Sequence, residues 1–356
     1  MMSFTVKTFD QIQAGIIRDI ETDLPEADTG ADSDFAIRAN ATSSAIEGLY
    51  EHQQWIAKQI FPDTCDPDIL LLHARIRGLS KKSAVPAGGS IQISGAPGAP
   101  VNGTIVAQTL GAQQYQTTAT GSIGVDGTLT LAAQAVTAGS AGNATAGAAL
   151  TLLSAPNGVS SAASVVKMVG GTDDETDDEL LARLLEVIRR PPAGGNKWDF
   201  RRWAMNVDGV TAAYVYPLRR GLGTCDVVIT SSGGLPSAST IAAVQAAIDS
   251  QRPVTAKNCL VLAPTIVPID HDVRVAFSTG TIDIFRPRVQ TAIAAYFAAL
   301  PPGAIYVKSR VEGVVTDTEG VTDRLVVTPA TNITPVVDAT VVEWCQLGAL
   351  NVARMA

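Results

Sequence analysis

From Ser83 to Val166 the chain runs for 84 residues with one charged side chain, Asp126, and one aromatic, Tyr115. Gly, Ala, Thr and Ser dominate this stretch. Short runs such as "SIQIS", "GTIVAQTL", "YQTTAT" and "GTLTLAAQAVT" alternate apolar with polar residues at the period of a half-buried strand. Gly and Pro separate the runs at turn-like intervals. Such a composition admits disorder. The recurrence of β-branched residues at period two favours a small β-domain instead. Its core must be lean, built from Val, Ile, Leu and Ala, and helped by packing against neighbours.

The flanking sequence is of a different kind. Residues 1–82 read as mainly helical. Ile46, Leu49, Tyr50, Ile56 and Ile60 fall near one face at helical spacing. Asp66 and Pro67 suit the start of a further helix whose shared face is Ile69, Leu72, His73 and Ile76, with Gly78 as its stop. After the β-rich stretch comes "GGTDDETDDELLARLLEVIRRPPAGGNKWDFRRWA" (residues 170–204). Thr176 and Glu179 have capping-box spacing. Leu181, Leu184, Leu185 and Ile188 form an apolar face, and Pro191-Pro192 end the helix. Asn196 caps the next helix, which carries Trp198, Phe200, Trp203 and Met205. "TAAYVYP" and "TCDVVIT" read as strands joined by "LRRGLG", followed by the helix "STIAAVQAAIDSQ". The last zone offers the strand "TIVPIDHDVRVAF", the helix "FRPRVQTAIAAYFAAL", a second helix near "VKSRVEGVVTD" and a strand near "TVVEWCQLG". The fold class is multidomain α+β: a helical region (1–82), an Ala/Gly/Thr-rich β-domain (83–168), then α+β units at 169–262 and 263–356, helices packed on small sheets.

Composition narrows the function. The 356 residues, 46% of them hydrophobic, hold enough apolar material for real cores. A net charge of -8 disfavours a non-specific nucleic-acid binder. The N-terminus lacks the pattern of a secretory signal, and no segment has 18 uninterrupted apolar residues, so no membrane span is expected. Cys65, Cys225, Cys259 and Cys345 lie far apart without CxxC spacing, which argues against a disulfide framework or zinc site and suits free thiols in a reducing cytoplasm.

No catalytic pattern emerges. The six acids between Asp173 and Glu179 fan around a helix start, where the helix dipole favours negative charge, rather than converging on a cation. The spacing is also wrong for an EF-hand loop. His52, His73 and His271 form neither HExxH nor HxH. His73 reads as a packed residue, and His271 faces away from Asp270 and Asp272 on its strand. "SVVK" (Ser164 to Lys167) matches SxxK without its companion motifs, and there is no GxSxG or nucleotide-binding glycine pattern. The expectation is no catalytic residue, no metal and no cofactor. An interface is the remaining candidate: Trp198, Arg201, Arg202, Trp203, Arg219 and Arg220 are of the types enriched at hot spots. The same residues also suit a core with arginine stems packed over it, and both readings stand.

The order of parts resembles the baseplate J family of contractile-tailed bacteriophages of the Mu and P2 type. The block from Gly170 to Thr230 carries the likeness: an acidic "GGTDDET" start, an arginine-bearing helix, the "PPAGGN" break, a Trp-Ala helix and an alternating strand containing Tyr216-Pro217. Asp208-Gly209-Val210 stands where Pro-Gly-Val is usual. "AGSAGNATAGAALTLL" and the terminal "VVEWCQLGALNV" support it, so that the resemblance spans about residues 35–350. It implies a non-enzymatic wedge protein of a tail baseplate, in the ring joining the central hub to the sheath and tail-fibre apparatus. The implied partners are a second copy of the chain, a small lysozyme-like wedge protein, a tail protein I type component, and the sheath and tail-fibre connectors. The implied location is the virion tail, assembled in the host cytoplasm. A rival reading is a carbohydrate-binding adhesin or accessory module of a cell-surface hydrolase. Against it stand the single aromatic of the β-domain and the lack of paired carboxylates outside a helix start.

Overall fold

A computed structural model describes residues 6–355. By internal contacts the chain divides into two compact units. One comprises residues 1–80 with 176–189, the other 81–175 with 190–356.

The first unit is helical: α1 (Phe9–Asp23), α2 (Asp34–Gln59), α3 (Pro67–Ile76) and α4 (Asp177–Arg189). Thr8 and Gln11 form a reciprocal capping box at the start of α1. Small residues of α2, namely Ala36, Ala39 and Ser43, are buried together with Ile12 of α1. Gln13 donates to Asn40, and the Phe9 amide donates to Glu47. Small side chains let the two helices approach closely, so the seam lies on the Ala/Ser stripe of α2 and not on its larger apolar residues. Leu49, Ile56 and Ile60 are therefore exposed, contrary to the face read from spacing. The same shift occurs in α3, where Leu70 and Ala74 are buried while Leu72 and Ile76 face outward. In α4 the buried residues are Leu180, Arg183 and Leu184, whereas Ile188 is exposed. Leu70, Ala74, Leu79, Leu180 and Leu184 make one core, and the Arg183 guanidinium donates to the Ser80 carbonyl at 2.7 Å. Asp66 occupies the N-cap position of α3, but its carboxylate accepts from Trp55 and Gln59 instead of capping.

The second unit begins with a closed antiparallel barrel. Its strands are β1 (Gly88–Gly95), β3 (Val106–Gln108), β4 (Gln114–Thr117), β6 (Thr128–Ala135), β7 (Ala149–Leu152) and β8 (Val159–Val169), in the spatial order β1-β6-β4-β3-β7-β8. A two-stranded ribbon of β2 (Pro100–Val101) and β5 (Gly121–Ser122) is attached. The core is as lean as the composition requires: Ile91, Ile93, Leu131, Leu150, Leu152, Val165 and Met168 surround Tyr115, the one ring of the segment. The low-charge stretch is thus an ordered β-domain, and its alternating runs are its strands.

The remaining 167 residues carry two three-stranded sheets. In the first, β9 (Ala212–Pro217) and β10 (Thr224–Thr230) form the expected hairpin. β11 (Asn258–Leu262) adds parallel to β10 after a crossover through α6 (Ala238–Gln251), with α5 (Lys197–Met205) on the same face. In the second, β12 (Thr265–Phe277) is central, antiparallel to β13 (Val321–Thr328) and parallel to β14 (Glu343–Arg354). It is packed by α7 (Ile282–Ala298) and α8 (Lys308–Thr316). The sequence reading lacks β11 and β13. The first layer runs α-β-β-α-β and the second β-α-α-β-β.

Candidate interface site

The break before α5 is organised by one carboxylate. Asp199 is 1% exposed and accepts the amides of Ala193 (3.1 Å), Gly195 (2.7 Å) and Asn196 (3.2 Å), with Arg202 completing its shell at 2.7 Å. Burial alone would raise its pKa. The three amides and the Arg202 charge outweigh that and hold the carboxyl below its usual range. Asn196 in turn accepts from the amides of Trp198 and Asp199. Gly195 has φ +120, and a Cβ there would lie 2.4 Å from Pro253, so the "GGN" turn admits no other residue without distortion. On α5 itself, Trp203 points inward and packs edge-on against Phe200 at 4.9 Å. Trp198 stays half-buried, with the Arg190 guanidinium 3.4 Å and the Lys197 ammonium 4.7 Å from its ring centre. Arg201 donates to the Ala213 carbonyl of β9.

The hairpin arginines converge on a single buried acid. Asp226 of β10, with no exposed surface, takes a 2.8 Å bond from Arg219 and a bidentate pair from Arg220. Burial pushes the Asp226 carboxyl up, but hydrogen bonds from Arg220 and then Arg219 reverse this and leave it below the ordinary carboxylate range. Arg220 reaches on to the Asn258 side chain. Arg219 donates to the carbonyls of Asp338 and Val341, which precede β14. Beside it the Tyr216 hydroxyl donates to the Pro302 carbonyl at 2.6 Å. Arg220 thus ties β10 to β11 within the first sheet, while Arg219 binds that sheet to the segment preceding β14.

The acidic run divides into two parts. Asp173 accepts from the amide and hydroxyl of Ser140, Asp174 from the Ala84 amide, and Glu175 from the Lys82 amide. The Glu175 amide returns a bond to the Lys82 carbonyl, and Val85 bridges Thr172. These three carboxylates thus join the entry and exit of the barrel. Thr176 and Glu179 then form the expected capping box. A fully solvated helix start does not describe the run, since Glu175 is buried. Gly170 has φ +83 and sits so close to Ser237 that a Cβ would meet its amide at 2.4 Å.

Of the six residues singled out in sequence, the structure gathers Trp198, Arg201, Arg202 and Trp203 on α5 and places Arg219 and Arg220 on Asp226. What sequence reading missed is the pair of acids that hold Arg202, Arg219 and Arg220. Asn196-x-x-Asp199 has capping-box spacing, and Asp226 is the lone charge in an apolar strand. His271 is buried, with Nδ1 2.9 Å from the Ile269 carbonyl and Nε2 3.0 Å from the Tyr306 hydroxyl. A carbonyl only accepts, so Nδ1 carries the proton and Tyr306 donates to Nε2. Burial lowers the His271 pKa. Among the described residues no group of three His, Cys, Asp or Glu could hold a metal, and no helix is long and apolar enough to cross a membrane. Tyr115, the ring on which the β-domain could stack a sugar, is inside the barrel.

A barrel and two small α+β layers, with their charged clusters engaged in internal clamps, define a structural module. Residues 90–171 match the Baseplate J-like protein barrel domain, 192–263 the Baseplate J-like central domain, and 269–353 the Baseplate J-like protein C-terminal domain. The Mu-like prophage FluMu protein gp47 of Haemophilus influenzae is 32% identical over 299 residues, covering 80% of this chain and 83% of that one. Baseplate protein gp47 of Escherichia phage Mu is 29% identical over 361 residues, covering 96% of this chain and 100% of that one. A chain of the anti-feeding prophage baseplate, solved by cryo-electron microscopy, aligns with TM-score 0.37 at 11% identity, over 94% of this chain and 90% of that one. The chain belongs to the baseplate J-like family. It is a structural protein and not an enzyme.

Proposed function

We propose that the chain is a wedge protein of a contractile-tail baseplate, one of the subunits that build the ring between the central hub and the sheath and fibre apparatus. The observation that carries this reading is the unbroken order of barrel, central and C-terminal family domains, together with a relationship to the Mu baseplate protein along that protein's whole length. The working domain division is 1–82, 83–168, 169–262 and 263–356. The partners are a second copy of the chain, a small lysozyme-like wedge protein, a tail protein I type component, and the sheath and tail-fibre connectors. Of the six-residue set only Trp203 is buried; the half-buried Trp198, with its cationic neighbours, is offered as a contact for them, along with the exposed apolar residues of α2 and α3. Assembly takes place in the host cytoplasm. Antibody-gold labelling of intact purified tails tests the reading. Gold at the distal end of the sheath supports it, and protein that remains free in the lysate with unlabelled particles refutes it.

A further inference from the structure

The four cysteines have no proximity in sequence, yet two of them are brought into register. Cys225 of β10 and Cys259 of β11 are direct Cα partners across the parallel pair. Both belong to the helix-facing side of the sheet: Cys259 lies in the core with Val227, Ile229 and Val261, and Cys225 packs against the same cluster. Paired strands lie about 4.8 Å apart, and a disulfide accepts Cα separations of roughly 4.4–6.8 Å. The register alone therefore sets the two Cα atoms within the range that a disulfide spans. The two thiols also differ in access. Cys259 is buried, whereas Cys225 is half-buried and lines a cavity of about 290 Å³ with Phe200, Thr224, Pro253 and Ala256.

We propose that Cys225 and Cys259 are a cross-strand dithiol that closes to a disulfide by exchange with a small disulfide entering the cavity. The Cys225 thiolate attacks one sulfur of the small disulfide, giving a mixed disulfide and releasing one small thiolate. The Cys259 thiolate then attacks the Cys225 sulfur, forming the protein disulfide and releasing the second small thiolate. Two protein S–H bonds are lost, one S–S bond forms in the protein, and the small disulfide is reduced to two thiols. The closed bond would staple β11, an edge strand, to the centre of its sheet. Burial, reinforced by the neighbouring Cys259 and Asp226, pushes the Cys225 thiol up to about 12, and burial also raises Cys259. Little thiolate is present at neutral pH, so the pair stays reduced there unless exposure to an oxidant is prolonged.

The test uses the full chain and glutathione disulfide at pH 7, 8 and 9, read by intact mass, by alkylation of free thiols after denaturation, and by non-reducing peptide mapping. The expected result is loss of two hydrogens and of two of the four free thiols, with one crosslinked peptide joining Cys225 to Cys259. The rate should rise about tenfold per pH unit, following the thiolate fraction. Cys225→Ser and Cys259→Ser should each abolish the loss of two hydrogens. A stable glutathione adduct on Cys225 without closure overturns the proposal, as does a crosslink to Cys65 or Cys345. Four unreacted thiols at pH 9 overturn it as well. The wild-type peptide map decides between these outcomes even if a variant fails to fold.

Discussion

At the residue scale, two buried aspartates account for much of what the conspicuous residues do. Asp226, itself fully buried, balances two guanidiniums. Removing it by Asp226→Ala leaves the buried Arg219 side chain and the partly buried Arg220 uncompensated, and the expected loss is about 3–5 kcal/mol in denaturant unfolding. The folded pKa of Asp226 and of Asp199 lies below the unfolded value. Their contribution is therefore complete above about pH 4 and is lost as pH falls through the lower, folded pKa. His271 has the opposite character: the folded chain binds its proton less readily than the unfolded chain. Its stabilising effect is complete above about pH 6.5 and declines on acidification below that value. An imidazole carbon resonance of His271 that fails to titrate around pH 6.5, with the Nδ1-H tautomer retained, would bear this out. A normal titration would refute the buried network. None of this was visible in the residues alone. The arginine pair stood out in the sequence, whereas an isolated Asp in an apolar strand gives no sign of its partners until the hairpin folds back.

At the scale of elements, the capping chemistry was the most legible part. Thr176 with Glu179, Asn196 at α5, and the Tyr-Pro hairpin strand all lie where local rules place them. Local rules work there because caps and turns are decided by groups within four residues. The long strand β12 was likewise readable, since its burial alternates along its inner half. Helix faces were not readable in α2 and α3, and in α4 the reading failed only at Ile188. Spacing identifies an apolar stripe, but which stripe meets another helix depends on where small residues permit approach, and α2 spends Ala36, Ala39 and Ser43 on that contact. β11 and β13 escaped notice because each is short or polar at its exposed positions and is completed by neighbours distant in sequence. On α5 the two tryptophans should separate cleanly. Trp203→Ala empties a buried site beside Phe200 and should cost about 3–5 kcal/mol. Trp198→Ala forfeits contacts with Arg190 and Lys197 worth about 0.5–1 kcal/mol. Thermal melting of the two variants checks the difference, and a loss of particle yield in Trp198→Ala at near-normal melting would mark that ring as a contact in assembly.

At the scale of the whole molecule, charge and chain order matter more than any one site. Residues 1–80 hold thirteen acids against six Lys and Arg, so nearly all of the excess negative charge of the chain resides there. The two α+β layers, by contrast, are almost neutral and are joined by Arg219 and Tyr216. Tyr216→Phe should weaken that joint by about 1 kcal/mol, seen as a lower denaturant midpoint. The helical unit is interrupted: α4, which completes the core around Leu70 and Ala74, follows the barrel in the chain. Glu175 and Lys82 hold the barrel's two ends together, which keeps the 95-residue insertion between the two parts of the helical unit, residues 81–175, from behaving as a free loop. During synthesis, the consequence is a delay. At roughly 5–20 residues per second, Arg189 follows Ser80 out of the ribosome by about 5–20 s. Throughout that interval Leu70, Ala74 and Leu79 lack the leucines that cover them. The core around α3 is thus completed only after the whole barrel sequence has been made.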